Sequence, residues 1–234
     1  RCHHQRGHAN FGWLDSRHSF SFGQYYDPAH LGFSNLRVIN DDRVAPGAGF
    51  HTHGHTDMEI TPYITPGTIE HKDSMGHGYL IPAGDVQLMS AGSGVTHSEY
   101  NHHTDRELTF LQIWIEPNRT GISPNYQQMA VTTHGELTPL ATPDGVDGSL
   151  TIQADASLYR IDLEPEQRVT IERQGRSGYV HLLQGELEAT STQGVVTLSP
   201  GDGAGSQDIS KVELKATHQA AQALWFDLAP IHAA

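Results

Sequence analysis

Short runs of alternating apolar and polar residues dominate this chain, and turn residues separate the runs. The segment Leu108–Ile115 is strongly apolar and has the length of a strand, and residues 36–40 form a second apolar run. Glycine and proline turn signals recur roughly every ten residues between positions 65 and 94. Short strands at that spacing predict an all-β sandwich or barrel.

Three local features refine this prediction. Residues 19–22 alternate polar and apolar side chains and predict a strand. Asp41 and Asp42 predict the end of the strand that begins near residue 36. Pro62 predicts an interruption of the strand after the histidine-rich segment, because proline removes a donor from the strand ladder.

The second half of the chain repeats the turn pattern of the first half. With an offset of 118 residues, the turn residues Gly67, Gly76 and Pro82 are matched by Gly185, Gly194 and Pro200. A repeat of half the chain indicates duplication of one β-domain. We therefore predict an N-terminal domain over residues 1–117, a loop-rich linker over 118–143 with a short helix near 126–129, and a C-terminal domain over 144–234.

The composition limits the classes of function. The 234 residues are 36% hydrophobic, and no apolar run reaches the ~18 residues that a membrane span needs. The net charge of −13 disfavours direct binding to nucleic-acid phosphates. One cysteine, Cys2, fits a reducing compartment, and the polar start lacks the apolar segment of a signal peptide. We therefore expect a cytoplasmic protein that binds neither DNA directly nor a membrane.

Histidine is the residue type that points to chemistry. Thirteen of the 17 histidines precede residue 104. His53 and His55 are one residue apart, as are His97 and Glu99, so each pair projects from one face of a strand. If these two strands face each other across a barrel, three imidazoles and one carboxylate converge. Such a set suits a divalent transition metal such as iron, nickel, copper, manganese or zinc.

The remaining histidines of the first half are interpreted as peripheral. His51 has the same parity as the histidine pair, which predicts a place at the pocket mouth or an alternative ligand. The others, His71, His77, His102 and His103, are predicted to lie in solvated loops. The segment from Cys2 to His4 is predicted to be a frayed terminus.

Applying the repeat offset to the four candidate ligands predicts the character of the second domain. The offset places Ile171, Arg173, Lys215 and Thr217 at the positions of His53, His55, His97 and Glu99. No histidine pair of this spacing follows residue 103. We therefore predict a second barrel without a metal site.

Several motifs together resemble the pirin family of bicupins, and most closely its bacterial quercetin 2,3-dioxygenases. The resemblance is carried by residues 12–16, 20–22, 25–28, 36–42, 53–59, 70–76 and 89–99. Their order and spacing cover the first half densely, and the internal repeat extends the match. One departure is Gly54, where pirins usually have proline.

The resemblance implies two stacked cupin barrels with one metal in the N-terminal barrel. The implied ligands are His53, His55, His97 and Glu99, with Glu99 also the base that takes the substrate hydroxyl proton. Iron(II) is the metal expected first, and nickel, copper, manganese, cobalt and zinc are alternatives. Many other cupins have a metal-binding glutamate near the position of Glu59. We therefore expect Glu59 to lie beside the ligands and to support them.

The implied activity is O2-dependent cleavage of flavonols such as quercetin by a protein that we expect to be a monomer. The alternative is a metal-loaded regulatory cofactor that acts through a protein partner. For the pocket wall, proximity in sequence suggests Phe50, Met58 and Met89.

Overall fold

Residues 1–172 and 174–231 are described by the structure, a computed structural model, and nearly all of the regular structure is β. The strands of the first half are β1 (Gly7–Asn10), β2 (Leu14–His18), β3 (Leu36–Val44), β4 (Gly49–His55), β5 (Glu59–Ile64), β6 (Thr68–Asp73), β7 (Gly78–Pro82), β8 (Asp85–Ser90), β9 (Val95–Asn101), β10 (Leu108–Ile115) and β11 (Asn125–Ala130). Those of the second half are β12 (Leu137–Thr142), β13 (Leu150–Thr151), β14 (Ala156–Leu163), β15 (Arg168–Ile171), β16 (Arg176–Gln184), β17 (Leu187–Ser191), β18 (Gly194–Leu198), β19 (Gly203–Ile209), β20 (Val212–Ala216) and β21 (Ala221–Leu228). Short 3₁₀ helices span His3–Gln5 and Val146–Gly148.

Each half contains one larger and one smaller sheet. The larger sheets have the strand orders β1-β2-β3-β10-β5-β8-β11 and β13-β12-β14-β21-β16-β19. The smaller sheets have the orders β4-β9-β6-β7 and β15-β20-β17-β18. The central strands therefore correspond one to one in the two halves, and the predicted all-β fold with a duplicated domain is confirmed. Within the described residues, no helix is long and apolar enough to cross a membrane.

The larger sheets of the two halves pack against each other. Their shared core joins residues of β3, β8 and β10 to residues of β14 and β21, including Leu36, Leu88 and Ile113 on one side and Leu158 and Phe226 on the other. All five side chains are almost fully buried. This stacking leaves the interior of the first half, between its two sheets, as a separate space.

Two local predictions about the first 45 residues are wrong. Strand β2 ends at His18, and Phe22 makes only an isolated bridge to Tyr25, so residues 19–22 are not a strand. Strand β3 continues through Asp41 and Asp42 to Val44. The acidic pair is accommodated because β3 lies between β2 and β10, which supply ladder partners on both edges.

The segment predicted as a linker contributes one strand to each half. Residues 125–130 form β11, which pairs with β8, so the predicted helix near 126–129 is wrong. Strand β12 pairs with β14 of the second half. These residues become strands because each can pair with an exposed strand of a sheet, and such pairing outweighs a weak local preference for helix or loop. The proposed domain limits at 117 and 144 remain a prediction.

Two further expectations fail for reasons of pairing and anchoring. Pro62 lies inside β5 opposite Gln112, and the pairs between β5 and β8 flank it at Ile60 and Tyr63, so the strand continues. The N-terminal segment is anchored rather than frayed, because the backbone N–H of His3 donates to Asp202 Oδ1 at 2.5 Å.

Candidate metal centre

Strands β4 and β9 bring the three predicted histidines together. His53 lies directly opposite His97, and His55 lies opposite Val95. The ring centroids of the three imidazoles are 4.6 to 4.9 Å apart. Alternate residues of β9 are buried, so His97 and Glu99 both point inward as the spacing predicted.

The donor set fits a divalent transition metal. Burial, followed by the neighbouring imidazoles, lowers the pKa of His97 to about 2 and that of His55 to about 4. Both rings are therefore neutral near pH 7 and keep a lone pair for a metal. Both ring nitrogens of the buried His97 lack a partner, whereas Nδ1 of His53 lies 2.7 Å from the His51 carbonyl oxygen. That contact fixes the His53 tautomer and leaves Nε2 as its donor atom.

Glu99 lies on β9 beside His97. Oε2 accepts a hydrogen bond of 2.9 Å from Gln112 Nε2, while Oε1 is buried without a partner. Burial raises the pKa of the Glu99 carboxyl to about 7. The ligand atoms of His53, His55 and His97 lie within 4.8 Å of one another, and those of Glu99, His97 and His71 form a second such group. His97 is thus common to both groups.

The prediction that His71 lies in a solvated loop is wrong. His71 is fully buried on β6, and its ring centroid is 5.4 Å from that of His97. Nε2 of His71 lies 3.3 Å from Asp73 Oδ2, and Nδ1 has no partner. The carboxylate of Asp73 also binds the ring of His77 at 2.9 Å. The sequence misled here because Glu70 to Asp73 reads as polar, although every second residue of β6 faces the core.

The structure also shows where His51 and Glu59, two further residues near the histidine pair, lie. A bulge interrupts β4 between Phe50 and His53, and His51 lies at the exposed mouth of the cavity, one of the two places predicted for it, with its Nδ1 2.5 Å from the Tyr100 hydroxyl oxygen. Glu59 accepts from Ser90 Oγ at 2.9 Å and from the Gln153 backbone N–H at 3.2 Å. It therefore ties the two halves together and does not support the ligands.

The second half places apolar side chains at the corresponding positions. Ile171 pairs with Val212 as His53 pairs with His97, so Ile171 occupies the predicted position. The predicted equivalents Lys215 and Thr217 are wrong, because the β17–β20 register makes Val212 and Leu214 the counterparts of His97 and Glu99. Both are buried. Arg173, predicted at the position of His55, lies outside the described residues.

The candidate centre opens into a cavity of about 900 Å³. His53, His55 and Glu99 line it, with aromatic walls formed by Trp13, Phe22, Tyr25, Phe50 and Trp114. The expected wall residue Phe50 is therefore correct. Met58 and Met89 instead pack in a separate core around Ile60.

Sequence reasoning missed a polar part of the cavity wall. Ser16, His18, Asn40 and Asp42 line the cavity from β2 and β3. All four are buried, and Ser16 Oγ donates a hydrogen bond to Asp42. The available signal was the spacing of Asn40 and Asp42, which continues the alternate positions of Leu36 and Val38 and places two polar side chains on the same face of the strand.

These features define a class: a two-domain all-β protein of the bicupin type, with a candidate transition-metal centre inside its first domain. Residues 1–115 match the Pirin family, and residues 139–228 match the Quercetinase C-terminal cupin domain. The chain belongs to the pirin family, which confirms the resemblance inferred from its motifs.

Known relatives extend over the whole chain. The chain is 44% identical over 228 residues to the quercetin 2,3-dioxygenase of Escherichia coli strain K12, covering 97% of this chain and 96% of that protein. It superposes on the crystal structure of YhhW from Escherichia coli with a TM-score of 0.94 at 42% identity, covering 100% of this chain and 98% of that one. The structure of the bacterial pirin YhhW in complex with nickel(II) matches with a TM-score of 0.93 at 42% identity, covering 99% and 98%.

The buried carboxyl of Asp42 gives a prediction on pH. Burial raises its pKa from 3.8 to about 7, so the fold favours the protonated form. Its contribution to stability is therefore fully present below about pH 4 and is lost as the pH rises through about 7. Asp42→Asn is expected to gain stability relative to the native chain between pH 5 and pH 8, measured by urea unfolding of both metal-free proteins. Asp41→Asn, on the more exposed face of β3, is the control, and a stability difference independent of pH for Asp42→Asn would contradict the assignment.

Proposed function

We propose that this chain is a metal-dependent dioxygenase that cleaves flavonols such as quercetin with O2. The observation that carries the proposal is the group of three imidazoles, with Glu99 and its unpartnered oxygen in a second group that shares His97, beside a cavity large enough for a flavonol. The similarity to the quercetin 2,3-dioxygenase of Escherichia coli supports the same activity. We assign His53, His55, His97 and Glu99 as the metal-binding residues.

A bound divalent metal would supply Lewis-acid polarisation of the substrate 3-hydroxyl. The chain itself supplies the proton acceptor and the shape of the site. Gln112 holds one oxygen of Glu99, so the other oxygen is the one that can contact a bound metal or take the hydroxyl proton. In the metal-free chain burial raises the pKa of this carboxyl, so Glu99 lies in an environment that favours its taking up a proton.

The aromatic walls provide the second contribution of the chain. The ring of Trp114 makes edge-to-face contacts with His55 and Phe22, with ring centroids 4.9 Å and 5.4 Å apart. These rings place flat apolar surface directly beside the candidate metal centre. Such surface binds an aromatic ligand and keeps water away from the reacting atoms.

We propose iron(II) as the resident ion, because imidazole and carboxylate ligands suit it. The nickel(II) complex of the relative YhhW supports a divalent ion in this fold. The test is anaerobic reconstitution of the metal-free protein with iron(II), nickel, copper, manganese, cobalt or zinc, followed by addition of O2. Loss of quercetin absorbance and release of carbon monoxide would rank the ions, and a higher rate with another ion would overturn the choice of iron.

We also propose that the chain works as a monomer in the cytoplasm, since Cys2 is its only cysteine and each half already covers the larger sheet of the other. Sedimentation of the metal-loaded protein tests the oligomeric state.

Stoichiometric metal binding without quercetin turnover would favour the alternative function, a metal-loaded regulatory cofactor, over the dioxygenase. Co-purification of a partner only with metal-loaded protein would then support that alternative.

Glu99→Gln tests the proposed base. Turnover of quercetin is expected to fall by about 10² to 10⁴, the usual range for loss of a general base, because glutamine cannot accept the proton. The metal content is measured in the same samples, so that a binding defect is separated from a catalytic one. Glu59→Gln is a matched control, since Glu59 is also a buried carboxyl with a raised pKa but lies outside the cavity. Full activity of Glu99→Gln with normal metal content would refute the role.

A further inference from the structure

A row of polar side chains crosses the larger sheet of the first half. His18 of β2 lies opposite Asn40 of β3, and Asn40 lies opposite Gln112 of β10. The row ends at the candidate metal centre, because Gln112 donates its hydrogen bond to Glu99. All three members of the row line the cavity.

The row is buried and lacks partners. His18, Asn40 and Gln112 are 5%, 3% and 8% exposed. His18 Nδ1, Asn40 Oδ1 and Gln112 Oε1 each have no hydrogen-bond partner. Buried polar groups are nearly always paired, so three adjacent unpaired groups on a cavity wall indicate a ligand that pairs with them.

Aromatic rings connect this row to the metal-binding histidines. His18 contacts Phe22 with ring centroids 5.4 Å apart, and Phe22 contacts Trp114 at the same distance. Trp114 in turn contacts His55 at 4.9 Å. A flat ligand that lies along these rings would reach His55 at one end and His18 at the other, with Asn40 and Gln112 on the wall between them.

We propose that His18, Asn40 and Gln112 form a hydroxyl-binding subsite that selects polyhydroxylated aromatic substrates over analogues without ring hydroxyls. The inference rests on the proposed function, since it concerns the hydroxyls of the same substrate other than the 3-hydroxyl. Phenolic hydroxyls match the row, because each hydroxyl can donate to the oxygen of Asn40 or Gln112 and accept from an imidazole or amide N–H. An analogue without them leaves these groups unpaired, and sites of this kind reject such analogues strongly.

The test compares the binding of quercetin with that of 3-hydroxyflavone, which keeps the 3-hydroxyl but lacks the other ring hydroxyls. Dissociation constants are measured without O2 on the metal-loaded chain, by quenching of tryptophan fluorescence. We expect the native chain to bind quercetin at least tenfold more tightly than 3-hydroxyflavone. In Asn40→Leu this preference should fall to threefold or less.

A matched control and a second variant keep the test decisive. Gln87→Met removes another fully buried amide without partners that does not line the cavity, and it should retain the tenfold preference. If Asn40→Leu does not fold, His18→Phe serves in its place. Equal binding of the two ligands by the native chain, no binding of quercetin, or an unchanged preference in the folded variant overturns the inference.

The outcomes also separate this inference from the proposed function. Discrimination in binding without turnover under O2 supports the subsite and contradicts the dioxygenase. Turnover of both ligands at equal kcat/KM supports the dioxygenase and contradicts the subsite.

Discussion

Replacing His97 with alanine is expected to abolish stoichiometric metal binding. His97 belongs to both groups of candidate ligands, lies opposite His53 in the β4–β9 ladder and has two buried ring nitrogens without a partner. Loss of a residue that only supports a ligand costs about 10- to 100-fold in metal affinity, so loss of His97 itself should cost more than about 100-fold. Metal analysis after gel filtration should fall from about one ion per chain to near zero.

The same variant should lose the stabilisation that metal gives to the fold. An ion present at a hundredfold excess over its Kd stabilises the native state by about 2.7 kcal/mol. For a chain of this size that corresponds to a rise of roughly 5–10 °C in Tm, which His97→Ala should not show. His102→Ala is the control, because His102 is exposed and its ring contacts Glu70 and His103, neither of which is a candidate ligand. Retention of metal by His97→Ala would refute the assigned site and direct attention to other ligands.

Gly49→Ala is expected to be the most damaging single-methyl change in the sheet that carries the candidate metal centre. A Cβ at position 49 would lie 2.3 Å from the Glu99 carbonyl oxygen and 2.5 Å from the Tyr100 Cα. Both are backbone atoms, so no change of rotamer relieves the overlap, and β4 must move away from β9. Overpacking of this kind costs about 3 kcal/mol or more. Urea unfolding of the metal-free protein measures the loss.

The strand contains its own control for this prediction. Gly54 lies between the candidate ligands His53 and His55, and a Cβ there would meet only Thr96 Cγ2 and the Val95 carbonyl oxygen, both at 3.8 Å. Gly54→Ala should therefore change the free energy of unfolding by about 0.5 kcal/mol or less. Metal content should fall in Gly49→Ala, because displaced strands separate His53 from His97, and should be unchanged in Gly54→Ala. Equal stability of the two variants would contradict the steric argument.

The sequence alone determined the elements whose patterns are local. The spacing of His53 and His55, and of His97 and Glu99, placed each pair on one face of a strand because side chains alternate along any strand. The turn residues revealed the duplicated β-domain and its offset. Together with the ordered motifs they also identified the family.

Tertiary structure decided everything that depends on which strands become neighbours. His71 reads as a surface residue, yet pairing of β6 with β9 places it in the core beside His97. A bulge interrupts β4 between Phe50 and His53, and Glu59 reaches Gln153, 94 residues away along the chain. The polar row of His18, Asn40 and Gln112 exists only because β2, β3 and β10 are adjacent, although they are distant in sequence. Local periodicity fixes the face on which a side chain lies, but the register between distant strands fixes what that face meets.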